Sequence, residues 1–181
     1  IGGATRNGTP GIEATTTSMG HGLPLGVGMA LAGKLQKKDY KVVVLISDGE
    51  CDEGSVWESV LIAAHHKLSN LIVLVDYNKW QAFGRVKDVV NLAPLTDKFT
   101  AFNWHVQEID GNNMQAILDA VHEAKAVFEK PSVIIARTIP GKGVSYMENR
   151  YEWHGAPPGI SDISGAPEKK EQAKVALEEL Q

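Results

Sequence analysis

The sequence predicts an α/β fold, a parallel sheet with helices on both faces. Three observations point there. Lys41–Ser47 (KVVVLIS), Leu71–Asp76 (LIVLVD) and Ser132–Arg137 (SVIIAR) are apolar runs rich in β-branched residues. That is the pattern of strands buried on both faces of a parallel sheet. Helix-length segments lie between the runs, and such alternation belongs to α/β folds with right-handed crossovers. Polar residues (Asp48, Asn78, Asp110 and Arg137) close the runs at their carboxyl ends, where parallel sheets bind ligands.

The elements follow in order. Residues 1–19 are rich in Gly and Thr and read as loop. From Gly20 to about Leu35 small and apolar residues dominate, predicting a buried helix that packs closely at its glycines. The Lys41–Ser47 strand comes next. Ser55-Val56-Trp57-Glu58 fits the capping box S-x-x-E, with helix to about Lys67. The Leu71–Asp76 strand leads into residues 77–92, expected to be irregular. A helix over Leu95–Phe102 and a strand over His105–Ile109 follow. Asp110-Gly111-Asn112-Asn113 is turn chemistry, with helix beyond it to about Phe128. After the Ser132–Arg137 strand, residues 139–167 hold most of the prolines and read as loop. Pro167–Gln181 reads as a charged amphipathic helix or a linker. The expected organisation is therefore one domain over 1–160, with 161–181 as the linker or helix.

Composition bounds the function. The 181 residues suffice for one full core. Hydrophobic content of 43% and charge of 22% are ordinary for a globular chain. A net charge of −4 argues against nucleic-acid or membrane-surface binding, which call for a basic face. The single cysteine, Cys51, excludes an internal disulfide and makes a reduced, cytoplasmic setting the expectation. No apolar run reaches the roughly 18 residues that a membrane-spanning helix needs. No signal-peptide pattern is seen. The chain opens on Ile1-Gly2-Gly3, and further residues upstream are expected.

The most informative segment is Ser47–Gly84. An Asp-Gly pair leaves one strand, and the next strand ends in Asp76-Tyr77-Asn78. The pairs are about 30 residues apart, the length of one βαβ unit, so Asp48 and Asn78 meet at one sheet edge. Magnesium takes six oxygens in a tight octahedron. Asp48 offers a carboxylate oxygen, Asn78 an amide oxygen and Trp80 a backbone carbonyl. The remaining positions suit two diphosphate oxygens and a water. Gly49 lets the backbone approach a phosphate, and the helix start beyond it offers free N–H groups. By itself, Asp-Gly after a strand is an ordinary turn. Pairing it with an Asn-ended strand makes it a metal–diphosphate site.

The segment resembles the thiamine-diphosphate motif G-D-G-x(n)-N and, in detail, the transketolase family. Similar stretches are TPGIEATT at 9–16, MGHGLPLGVGMALAGK at 19–34, CDEGSVWE at 51–58, AAHHKLSNLI at 63–72, GKGVSYMEN at 141–149 and WHGAPP at 153–158. The likeness is strongest to split transketolases, whose diphosphate-binding half is a separate chain. It implies a thiamine-diphosphate fold, with magnesium or calcium held by Asp48, Asn78 and the Trp80 carbonyl. Gly49 would donate to the diphosphate. Met19 matches a leucine packed on the aminopyrimidine. His154 matches a histidine touching diphosphate and substrate. Glu53 matches an acid that meets its counterpart across a dimer interface. The implied reaction moves a two-carbon ketol unit from a ketose, free or phosphorylated, to an aldose, and the cofactor supplies the nucleophile and the electron sink. The implied partner is a second subunit carrying the pyrimidine-binding and C-terminal domains, in an α2β2 heterotetramer or larger.

Four positions depart from the family pattern. Ser47 replaces the first glycine of Gly-Asp-Gly, so the backbone there must avoid a glycine-only conformation. Thr17 stands where a glycine is usual, and Tyr77 replaces an acid or small polar residue. Ala4-Thr5 stand where the family has His-Pro, and that histidine helps bind ketol hydroxyls. A changed donor is therefore one alternative, as in a carboligase or decarboxylase of a specialised sugar or secondary-metabolite pathway. A non-catalytic subunit that keeps the fold is another.

Among the remaining candidates, His21 suits either the pocket edge or a helix terminus. His65 and His66 read as surface or packing residues. No His/Cys spacing suits zinc. Cys51 reads as a small buried side chain, with a redox-sensitive thiol as the alternative. Trp57, Trp104 and Trp153 read as core or interface. Lys142 reads as a phosphate contact or a solvated loop lysine, and Glu168–Glu171 as a solvated face.

Overall fold

A computed structural model describes residues 6, 8–16 and 18–181. Ala4-Thr5 and Thr17, two of the four family departures, lie outside the described residues. The elements are α1 (Gly22–Leu35), β1 (Val42–Ser47), α2 (Gly54–His65), β2 (Leu71–Tyr77), β3 (Trp80–Gln81), β4 (Gly84–Arg85), α3 (Val86–Val89), α4 (Leu95–Ala101), β5 (His105–Asp110), α5 (Met114–Ala126), β6 (Ser132–Arg137) and α6 (Lys169–Glu179). Short 3-10 turns cover Gly49–Asp52 and Tyr151–Trp153. The main sheet runs β1-β2-β6-β5, all parallel. Its register pairs Ser47 with Asp76, and Asp76 with Ala136. The strand ends that carry Asp48, Asn78 and Thr138 therefore line up along one edge.

Alternate residues of the strands feed two cores. On one face Val44, Ile46, Val73, Val75, Val133 and Ile135 pack with α1, α2 and α4 residues that include Leu23, Val56 and the fully buried Phe99. On the other, Ile72 and Ile134 meet Ala120 and Ala124 of α5. Gly26 of α1 sits so close to the sheet that a side chain there would overlap Val44, as the glycine-rich helix predicts. Ser47 ends β1 and is not among the positive-φ residues, so serine is tolerated there.

Three expectations are corrected. β1 is not buried on both faces: among the described residues it is an edge strand, and Val43 and Leu45 are 55% and 72% exposed. α5 covers the interior strands and leaves β1's half of that face open. Residues 77–92 are not wholly irregular, because β3 and β4 form a small antiparallel hairpin that leads into α3. The capping box does not form. Helix α2 starts two residues early with Glu53 as N-cap and no side-chain cap, and Ser55 Oγ donates instead to Gly20 O at 2.7 Å. A carbonyl brought in by the fold outcompetes the local backbone for that hydroxyl.

Residues beyond the sheet build a satellite core. Val144, Tyr146, Trp153 and Ala176 are buried together, which joins α6 to the 139–167 loop. Its polar lock is Gln172, 1% exposed. Gln172 Oε1 accepts from Gly159 N, Nε2 donates to Ser161 O and Pro167 O, and its carbonyl accepts from Tyr146 Oη. Gln172→Ala should cost about 1–3 kcal/mol, because it strands buried backbone partners. Hydrogen exchange should then rise across 157–180 and stay unchanged in β1 and β2, since the satellite core opens separately.

Candidate metal and diphosphate site

Asp48 sits just beyond β1 at the start of the 3-10 turn and is fully buried (0% exposed). Its Oδ1 accepts from Gly49 N at 2.8 Å, and its Oδ2 from Lys79 N at 2.6 Å. The second bond crosses from β1 to the loop after β2 and draws Asp48, Gly49, Asn78 and Trp80 together. Asn78 Oδ1 accepts from Trp80 N at 2.8 Å. A carboxylate has about four acceptor sites and an amide oxygen two. Each of these oxygens uses one on a backbone N–H and keeps capacity for a cation.

Burial pushes the Asp48 carboxyl up from 3.8 to about 6, and the nearby Asp76 adds to this, against the lowering from the Lys79 and Gly49 N–H groups. A bound cation would stabilise the ionised form of a carboxyl buried in this way. Among the described residues no group of three or more His, Cys, Asp or Glu side chains could hold a metal. One carboxylate, one amide and one carbonyl still fit a hard cation whose other ligands come from a diphosphate.

The sign of the pH dependence follows. Without cation, the stability that Asp48 contributes is full below its ordinary value of 3.8 and is lost as pH rises through about 6. A cation held there would bind the ionised form, so any metal-dependent diphosphate affinity should fall as pH drops below about 6. Calorimetry in buffers of different ionisation enthalpy should show about half a proton released per metal bound near pH 6, and little at pH 8.

The segment before α1 is tied to the same turn. Gly20 N donates to Glu50 Oε1 at 2.9 Å, and Gly20 O accepts from Ser55 Oγ. Gly20 thereby packs against Ser55 and Glu53, and Met19 just before it is 46% exposed. His21 is the backbone N-cap of α1, with its Nδ1 3.0 Å from Met19 O, which favours the helix-terminus role. Glu53 is exposed.

His154 is exposed and follows the Tyr151–Trp153 turn, its N–H bonded to Tyr151 O at 2.8 Å. The Asn78–Trp80 loop reaches that segment through Trp80. The Trp80 ring stacks on Tyr151 at 5.6 Å, its Nε1 donates to Asn149 Oδ1 at 3.1 Å, and Arg85 lies over it at 4.9 Å. Sequence reading found no sign of Glu50, Asn149 or Tyr151 and pointed Ser55 to a cap, because the partners of all four lie far along the chain. Behind Trp153, its Nε1 donates to Tyr146 O, so α6 anchors the segment bearing His154.

Other candidates take bland roles. Cys51 is buried, and burial with the neighbouring acids pushes its thiol up to about 12, so it is inert. Lys142 pairs with Glu148 at 3.3 Å. His65 and His66 are at the surface against each other. Trp57 packs on Phe99 and Phe102, and Trp104 on Phe99. No helix among the described residues is long and apolar enough to cross a membrane.

A family profile described as "Transketolase, thiamine diphosphate binding domain" matches residues 2–173. The chain belongs to this transketolase family. It is 40% identical over 170 residues to one of the subunits of an apulose-4-phosphate transketolase from Phocaeicola vulgatus, covering 90% of this chain and 60% of that protein. It is 44% identical over 146 residues to the 6-deoxy-6-sulfo-D-fructose transketolase subunit SqwG of a Clostridium species, covering 81% and 53%. The crystal structure of Campylobacter jejuni transketolase superposes with a TM-score of 0.74 at 27% identity, over 93% of this chain and 30% of that one. The transketolase-family domain described here thus spans little more than half the length of these subunit relatives.

Proposed function

We propose that this chain supplies the diphosphate and metal half-site of a two-component, transketolase-like enzyme. The observation that carries this reading is the buried Asp48, joined through Lys79 N–H to the Asn78–Trp80 loop. Asp48, Asn78 and the Trp80 carbonyl would hold magnesium, with calcium as a substitute, and Gly49 would face the diphosphate. When bound, thiamine diphosphate supplies the carbanion chemistry that moves a two-carbon ketol unit. The protein's part is to anchor the charged end, to place Met19 at the rim, and to offer His154 for hydrogen bonding and proton transfer near neutral pH. Glu53 would meet a second copy of this domain across an interface.

Both relatives are named as transketolase subunits, which supports a separate partner chain; an α2β2 assembly is the form we propose. Their names carry different sugars, which supports a ketose donor of a specialised kind. We read the domain as ending near residue 160, with α6 packed back on its 139–167 loop through Ala176 and Gln172, in a cytoplasmic enzyme.

Calorimetric titration of thiamine diphosphate with magnesium, with and without the partner chain, tests the reading. Weak binding alone and tight binding with the partner is the expected result. Tight partner-independent binding with full turnover by this chain alone would overturn it. A panel of ketose phosphates, free ketoses and 2-oxo acids then separates ketol transfer from decarboxylation.

A further inference from the structure

We infer that Asp76, held by Thr138, is the positioning residue that selects which end of the Asn78 amide faces the metal. The inference rests on the site reading above. Asp76 lies near the end of β2, between Ser47 of β1 and Ala136 of β6. Its Oδ2 accepts from Asn78 Nδ2 at 3.0 Å, and its Oδ1 accepts from Thr138 Oγ1. Thr138 follows β6, so three consecutive elements of the sheet edge are joined: β1 through Asp48, β2 through Asp76, and β6 through Thr138.

The chemistry is directional. An asparagine amide presents oxygen at one end and NH2 at the other, nearly equal in size, so shape alone cannot orient it. A carboxylate offers acceptors only. Asp76 therefore takes the NH2 end, and Oδ1 turns to the opposite side, where Trp80 N meets it. A flipped amide would set its oxygen lone pairs against those of the Asp76 carboxylate, and turn its NH2 toward the Trp80 N–H and the cation. Thr138 has a single hydroxyl proton and donates it to the other oxygen of Asp76, which fixes the carboxylate plane.

The test measures metal affinity separately from turnover. Binding of manganese, observed by electron paramagnetic resonance with thiamine diphosphate and the partner chain present, gives the half-saturating metal concentration. Asp76→Asn keeps the shape but can offer NH2 to Asn78, and should raise that concentration about 10–100-fold. Thr138→Val should raise it less, and Thr138→Ser, which keeps the hydroxyl, should restore it. Cofactor affinity at saturating metal should change much less in all three. Wild-type metal affinity in both Asp76→Asn and Thr138→Val, with loss in Asp48→Asn, would overturn this inference and leave the site reading standing. Wild-type affinity in Asp48→Asn would overturn both. If Asp76→Asn fails to fold, the Thr138→Val and Thr138→Ser pair decides.

Discussion

Asp48→Asn should leave the chain folded and weaken its magnesium-dependent hold on thiamine diphosphate by about 100-fold or more, beyond the 10–100-fold typical of outer-shell changes. The fold survives because two effects offset. Ionised Asp48 is costly where it sits, since burial holds its carboxyl near 6 against an ordinary 3.8. At about 1.4 kcal/mol per pH unit, a neutral replacement recovers roughly 3 kcal/mol at pH 7 and above. The amide oxygen can still accept from Lys79 N, but its NH2 cannot accept from Gly49 N, which loses about 1–3 kcal/mol. The thermal midpoint of the cofactor-free chain should therefore move little. Cofactor affinity without magnesium should match that of the unaltered chain. A large drop in midpoint with unchanged magnesium dependence would show that Asp48 serves the turn rather than a metal.

Gly20→Ala should destabilise the chain by about 3 kcal/mol and weaken cofactor binding with it. Gly20 has φ +75, a conformation that costs an alanine about 1–2 kcal/mol. An added Cβ would lie 2.5 Å from Ser55 Oγ and 2.8 Å from Glu53 Cβ, and such overlap costs a further 1–3 kcal/mol or so. Relief requires the 18–21 segment to lift off α2, which breaks the Gly20 bonds to Glu50 and Ser55 and carries Met19 away from the turn. Denaturant unfolding measures the first effect. Calorimetry at saturating magnesium measures the second, and there Ser55→Ala should reproduce a weaker form of it.

Much of the frame was legible in the sequence. Ser132–Arg137 forms a strand over those same residues, and Leu71–Asp76 gains only Tyr77. Long β-branched runs bounded by turn residues allow few other conformations. Asn113 caps α5 through Gln115 N and Ala116 N, as turn chemistry before a helix suggests. The meeting of Asp48 with the Asn78 loop was also legible, because one βαβ unit fixes which ends converge. Three features were not. Ser55 matches a capping box in every residue, yet its hydroxyl goes to Gly20 O, and no local pattern encodes a distant acceptor. β1 looks as apolar as its neighbours, yet it is an edge strand, because strand order depends on pairing rather than on composition. The polar link from Thr138 through Asp76 to Asn78 joins residues from two strands, and only the register puts them side by side.

The sequence alone determined the α/β class, the polar residues at the strand ends, and the donor set of one acid, one amide and one carbonyl that suits a hard cation. Periodicity and spacing are local, and they are set by the chain's own geometry. Tertiary structure alone decided that Asp48 is fully buried, that Asn78 is turned by Asp76, and that Trp80 and α6 bind the His154 segment to the rest. Burial and hydrogen-bond direction belong to the packed assembly of elements, because each depends on what a distant part of the chain brings to the same place.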